Sequence, residues 1–170
     1  WCLGKMPGAG KKVIDKISKD LDSDLRIVAI RLARQLNSDV VNLITILSND
    51  KSPQVRRECA VALRELDVDD VPKLWAKLAL QHDGKDRWYL EALGIAAEGK
   101  WDECFKAWIG SGGKWNTKAG KDIVWRSRSK MAPELLVKIV KDPSTKEEER
   151  PKYMRAFDFH SGPEKELALQ

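Results

Sequence analysis

Two histidines, three cysteines and a set of arginines beside tryptophans are the residues of this chain with the widest chemical reach. Cys2, Cys59 and Cys104 stand far apart, with no CxxC and no CxxCH. That spacing excludes a zinc knuckle and a covalently attached haem within these residues, and three small buried hydrophobes are the expectation. His82 sits at an expected helix end beside Asp83, where an imidazole complements the helix dipole. His160 follows Asp158 and precedes Ser161-Gly162-Pro163, a turn, and lacks partners at metal-ligand spacing. Carboxylate groups at Asp69-Asp70, Asp102-Glu103 and Glu147-Glu148-Glu149 fall in expected first turns, where they oppose the macrodipole. No serine occupies a G-x-S-x-G elbow, and Gly110-Ser111-Gly112-Gly113-Lys114 lacks the length of a phosphate-binding loop. These absences point away from catalysis, and no metal or cofactor is expected within the chain.

The cluster with most to offer is Arg87-Trp88, Trp125-Arg126-Ser127-Arg128 and Arg155. Arginine and tryptophan are enriched at interfaces because they combine large area with directional polar groups, and they stack on each other. The competing reading has the tryptophans filling space between helices while the arginines pair with Asp86, Asp122 and Asp158. Seven tryptophans against three phenylalanines and two tyrosines is itself unusual. Trp1, Trp75, Trp101 and Trp108 fall on apolar stripes and are expected in the core. Trp88, Trp115 and Trp125 are candidates for a surface.

The elements that would position these residues follow from the hydrophobic period. Val40, Leu43, Ile44 and Leu47 recur at i, i+3, i+4 and i+7, as do Trp101, Cys104, Phe105 and Trp108. Between helices, Ser52-Pro53 supplies an N-cap and a first-turn proline. Thr145 with Glu148 reads as a capping box ahead of Pro151. Nothing alternates with period 2 for long enough to build a sheet, so the chain is all-α. Shifted by 30 residues against itself, segment 20–41 meets 50–71: Asp20 falls on Asp50, Arg26 on Arg56, Arg34 on Arg64, Leu36 on Leu66, Asp39 on Asp69 and Val41 on Val71. Helix pairs repeating every roughly 30–40 residues describe an α-solenoid. Approximate units are 8–36, 39–66, 69–97, 100–128 and 131–158, within one domain.

Composition sets the outer limits. The 170 residues are 42% hydrophobic and 34% charged, with a net charge of +5, which excludes wholesale disorder. No apolar run is long enough to span a bilayer. Charge is mixed along the chain, and no Lys/Arg run exceeds two residues, which argues against a nucleic-acid stripe. The chain opens at Trp1 without a leader, and we expect it to be a segment of a longer protein.

The spacing Asp-x5-Arg in Asp20…Arg26 and Asp50…Arg56 resembles the signature of HEAT and HEAT-like repeats. That resemblance implies a structural ladder of Asp20, Arg26, Asp50 and Arg56 between neighbouring units. Asp83-Gly84-Lys85-Asp86-Arg87 keeps the arginine at a shortened spacing. A narrower resemblance lies in Gly84-Lys-Asp-Arg-Trp-Tyr-Leu-Glu-Ala-Leu-Gly94, in the string from Trp115 to Arg128, and in Arg155-Ala-Phe-Asp-Phe-His160. These are similar to the HEAT-like region of large exported bacterial proteins, which join a dehydrogenase-like β-propeller, a HEAT solenoid and a C-terminal c-type cytochrome domain. The resemblance covers most of residues 20–165. It implies an exported or membrane-bound haem-binding dehydrogenase as the parent, with propeller and c-type haem both outside these residues. Arg87, Trp88, Trp125, Arg126, Arg128 and Arg155 would then lie on the concave face. The expected role is a non-catalytic scaffold whose partners are flanking domains of the parent or another protein. Duplex binding by a basic concave face, as in HEAT-like DNA glycosylases, is the alternative. A chromophore-handling role like that of HEAT-like bilin lyases has no ligand set behind it.

Overall fold

The computed structural model describes residues 9–170. Trp1 and Cys2, expected in the core, lie outside that range. Eleven α-helices and no strand occur among the described residues: α1 (Gly10–Ile17), α2 (Ser23–Gln35), α3 (Val40–Leu47), α4 (Pro53–Leu63), α5 (Val71–Ala79), α6 (Arg87–Ala96), α7 (Trp101–Gly110), α8 (Lys118–Arg126), α9 (Ala132–Lys141), α10 (Arg150–Ala156) and α11 (Pro163–Ala168). The all-helical expectation holds.

Local chemistry accounts for the boundaries. The side chains of Asp22, Asp39, Ser52, Asp86 and Thr117 each accept from a backbone N–H in the first turn of the helix they precede, at α2, α3, α4, α6 and α8. Prolines stand in the first turn of α4, α5, α9, α10 and α11, where the missing N–H costs nothing. The expected capping box at Thr145 and Glu148 does not form. Thr145 is buried and its hydroxyl accepts from the Lys121 ammonium at 2.7 Å, while Glu147–Glu149 make a separate 3₁₀ turn ahead of α10.

Even-numbered helices lie side by side in sequence order: α2 touches α4, α4 touches α6, α6 touches α8 and α8 touches α10. Small residues are buried on these helices beside larger ones such as Ile30, Leu63 and Leu93. Ala29 and Ala33 on α2, Cys59, Ala60 and Ala62 on α4, and Ala92 and Ala96 on α6 are all buried, so the backbones approach closely. Odd-numbered helices cover the row, with α5 and α7 packed on each other. Trp75 of α5 links α5 to α6 and α7. It is fully buried, meets Trp101 edge-on at 5.9 Å, and donates its indole N–H to the Leu93 carbonyl at 2.8 Å. Tyr89 on α6 likewise donates its hydroxyl to the Leu78 carbonyl of α5 at 3.0 Å.

The 30-residue offset has a physical content in these contacts. Arg26 and Arg56 each occupy the fourth position after the N-cap, and each reaches back to the carbonyl of its own turn, Asp20 at 2.8 Å and Asp50 at 2.7 Å. Arg26 also grips the Asp50 carboxylate of the next turn with two bonds of 2.6 and 2.8 Å, and both side chains are about 7% exposed. Arg34 and Arg64, equivalent by the same offset, pair forward with Glu65 at 2.6 Å and Glu98 at 2.9 Å. The pattern changes at α6. Leu90 takes the fourth position after the N-cap Asp86, so Arg87 is no shortened version of the Asp-x5-Arg spacing but an exposed residue at the helix start. The Asp83 carboxylate turns to the backbone N–H groups of Lys85 and Asp86. Arg56 is left with its buried Nε unpartnered among the described residues and its guanidinium 5.7 Å from the Tyr89 ring centre. At α8 the position is Lys121, whose ammonium meets Asp142 at 3.2 Å.

Candidate interaction face

The exposed side of α2, α4 and α6 carries a groove of about 420 Å3. Ile27, Val61, Ala92 and Ile95 are its apolar residues, with Trp88 at one end, and Arg31, Gln54, Arg57, Glu58 and Glu91 are its polar ones. These helices present apolar and charged positions in the same stripe, because their fully apolar positions are already turned to the core. Trp88 is 71% exposed, against 0% for Trp75 and 2% for Trp108. An indole this open on a folded surface leaves most of its apolar area in water.

Most groove charges are bound to each other. Arg31 pairs with Glu58 at 2.8 Å, and Arg34 lies 3.8 Å from the same carboxylate. Glu91 receives Arg87 on one oxygen at 2.7 Å and Arg126 on the other at 2.9 Å. Burial pushes the Glu91 carboxyl up, but the two guanidinium groups outweigh it and hold it below the usual carboxylate range. Gly94 makes the Arg126 contact possible. A Cβ at Gly94 would lie 2.4 Å from the guanidinium carbon of Arg126, so only a glycine lets that side chain lie flat on α6. Arg57 is the exception, with no carboxylate in ion-pair reach among the described residues.

The remaining candidates divide. Trp125 is half-buried, with the Arg87 guanidinium 5.3 Å and the Lys152 ammonium 4.8 Å from its ring centre. Arg87, Trp88, Trp125 and Arg126 therefore form one neighbourhood centred on Glu91. Arg128 does not join it. Its guanidinium caps the carbonyls of Arg126 and Ser127 at 3.1 and 2.8 Å and lies 4.4 Å from the Phe159 ring. Burial and the nearby Arg126 lower its pKa. Arg155 is exposed on α10 and makes no ion pair with a described residue. Trp115 is half-buried against the core.

The acids expected to neutralise the arginines are placed otherwise. Asp86 caps α6 through the Tyr89 N–H at 3.0 Å, and Asp122 pairs with Lys152 at 2.8 Å. Glu91 does the work instead, and its i, i+4 spacing from Arg87 was the available signal. His82 was also misplaced by sequence reasoning. It lies three residues past the end of α5, buried and stacked on Tyr89 with ring centres 6.0 Å apart. Its Nε2 stands 3.8 Å from an Asp122 oxygen. No group of three or more His, Cys, Asp or Glu side chains placed to hold a metal occurs among the described residues, and no described helix is long and apolar enough to cross a membrane. Comparison with known proteins finds no matching family model, no similar curated protein and no similar solved structure.

Proposed function

We propose that the chain is an α-solenoid of HEAT-like helix pairs that acts as a non-catalytic scaffold, holding a polypeptide partner on the exposed face of α2, α4 and α6. The observation that carries this reading is Trp88, 71% exposed at the end of an apolar groove. A partner segment that seats an apolar side chain against Trp88, Val61 and Ile95 and offers a carboxylate to Arg57 would satisfy both halves of the groove. Pairing of Arg31, Arg34, Arg87 and Arg126 with Glu58, Glu65 and Glu91 leaves few unpaired cations near the groove, which disfavours nucleic acid as the occupant. In the same reading, supported by the strings quoted from the second half of the sequence, the partner is a flanking domain of an exported haem-binding parent, and c-type haem stays outside these residues.

Site-specific photocrosslinking tests it. A benzophenone amino acid replacing Trp88 in the full-length protein should give one dominant cross-link to a polypeptide, in cis or in trans, identified by peptide mass spectrometry. The same probe at Ile46, which is 63% exposed on α3, serves as the control. Equal labelling from both positions, or a nucleotide adduct at Trp88, would sink the proposal.

A further inference from the structure

A second cavity, of about 140 Å3, opens where the turn between α5 and α6 meets α8 and α10. His82, Lys85, Arg87, Asp122, Trp125 and Lys152 line it, with the Asp86 carboxylate at its edge already engaged by the Tyr89 N–H. The His82 side chain is 1% exposed, and neither ring nitrogen has a hydrogen-bond partner among the described residues. A buried imidazole always carries at least one N–H, and leaving it without an acceptor is unfavourable. Asp122 does not supply that acceptor, because 3.8 Å exceeds hydrogen-bond reach. The wall therefore presents an unused donor at its base, the Lys152 ammonium 2.8 Å from Asp122, and the Lys85 and Arg87 cations at the mouth. A water needs only about 10–15 Å3 of such space, so the cavity admits one small polyatomic ion with room for its hydrogen bonds.

The charge pattern selects among anions. Lys85, Arg87 and Lys152 surround the space, Arg87 also paired with Glu91 and Lys152 with Asp122. Of the two carboxylates in the lining, Asp86 is engaged by a backbone N–H and Asp122 is paired with Lys152. Burial pushes the Asp122 carboxyl up, but the Lys152 ammonium 2.8 Å away helps hold it below its usual range. At neutral pH Asp122 is then an acceptor only, which repels an oxyanion lacking a proton and accepts from one that carries an O–H.

We propose that this cavity binds inorganic phosphate: His82 and Lys152 donate to its oxygens, Lys85 and Arg87 balance its charge, and Asp122 accepts the P–OH proton. Sulfate has the same shape and no such proton at neutral pH, so it is the discriminating competitor. The site shares Arg87 and Trp125 with the neighbourhood of Glu91 but needs no occupant in the groove beside Trp88.

The test is a titration of the full chain with sodium phosphate, read on the imidazole resonances by long-range ¹H–¹⁵N NMR. His160, buried elsewhere in the fold, is an internal reference. Saturable movement of the His82 signals is expected, with His160 unmoved, and sodium chloride at matched ionic strength should not reproduce it. Lys152→Gln should weaken binding about tenfold, the usual loss for one charge-assisted hydrogen bond. Sulfate should bind at least tenfold more weakly than phosphate, and Asp122→Asn should erase that preference while the amide and helical signals stay folded. Matching shifts at His82 and His160, an equal effect of chloride, or equal affinity for sulfate would each overturn the assignment.

Discussion

Replacing Asp50 with asparagine removes the carboxylate that holds Arg26 and leaves a guanidinium in a site about 7% open to water. Breaking a buried ion pair from one side typically costs about 3–5 kcal/mol, because the surviving charge is stranded. Arg26 keeps the Asp20 and Leu21 carbonyls at 2.8 and 3.0 Å, and the asparagine oxygen can still accept one bond. The cost should therefore sit near the lower end, about 3 kcal/mol, or a fall in Tm of roughly 6–12 °C for a chain of this length. Urea unfolding of Asp50→Asn, Arg26→Met and the double variant would measure it. The double variant should cost less than the sum of the two, with a coupling of about 2 kcal/mol. Acid sensitivity gives an independent reading. Burial alone pushes the Asp50 carboxyl up, but Arg26 and the Ser52 amide pull it below its ordinary 3.8. Its stabilising effect is then complete above the unfolded value and is lost as pH falls through the lower folded value, so Asp50→Asn should flatten that acid limb. A cost under about 1 kcal/mol, the range of solvent-exposed pairs, would refute the claim that this contact is buried and coupled.

Other perturbations follow from the same contacts. Trp88→Ala should change unfolding free energy, read by urea unfolding, by no more than about 0.5 kcal/mol, since the side chain is mostly in water. Trp75→Ala should cost about 3–5 kcal/mol by calorimetry, because it empties a fully buried indole site and orphans a hydrogen bond. Gly120→Ala should destabilise by about 3 kcal/mol or more, read by thermal melting, because its Cβ would sit 1.8 Å from the Lys114 carbonyl oxygen. Cys59 and Cys104 should resist iodoacetamide at pH 8 until the protein unfolds, as mapped by mass spectrometry: burial pushes both thiols up, Cys104 to about 12. His160 is held below its ordinary 6.5 by burial and by Arg128 and Lys165. The neutral form is favoured in the fold, so stability should drop as pH falls below 6.5, and His160→Gln should reduce that slope.

Helix existence was legible because apolar residues recur at helical spacing with capping residues between them, as at Ser52-Pro53. The equivalence of Arg26 and Arg56 was legible because the two fall on each other at the 30-residue offset, and each reaches the carbonyl of its own turn. What Trp88 and Trp125 do was not, since both precede or follow an arginine in the same kind of string. Only packing separates an indole left in water from one covered by Arg87 and Lys152. The partner of the arginines was misjudged because adjacency in sequence was favoured over adjacency on a helix face, where Glu91 lies one turn from Arg87. His82 escaped for a related reason. Its surroundings come from α6, α8 and α10, and no local pattern around Gln81-His82-Asp83 announces them.

The short reach of these contacts bears on how the chain is made. Every polar side-chain contact described above joins residues within about 40 positions of each other, whether Arg26 with Asp50, Lys152 with Asp122 or His82 with Asp122. Loop-closure entropy is therefore small at each step, and local topologies of this kind assemble quickly. During synthesis, α1 to α4 can complete their mutual packing before α9 has left the ribosome. Folding would then advance from the N-terminus with one helix at a time exposed at the growing end, and a stall late in translation would strand a compact intermediate rather than an open chain.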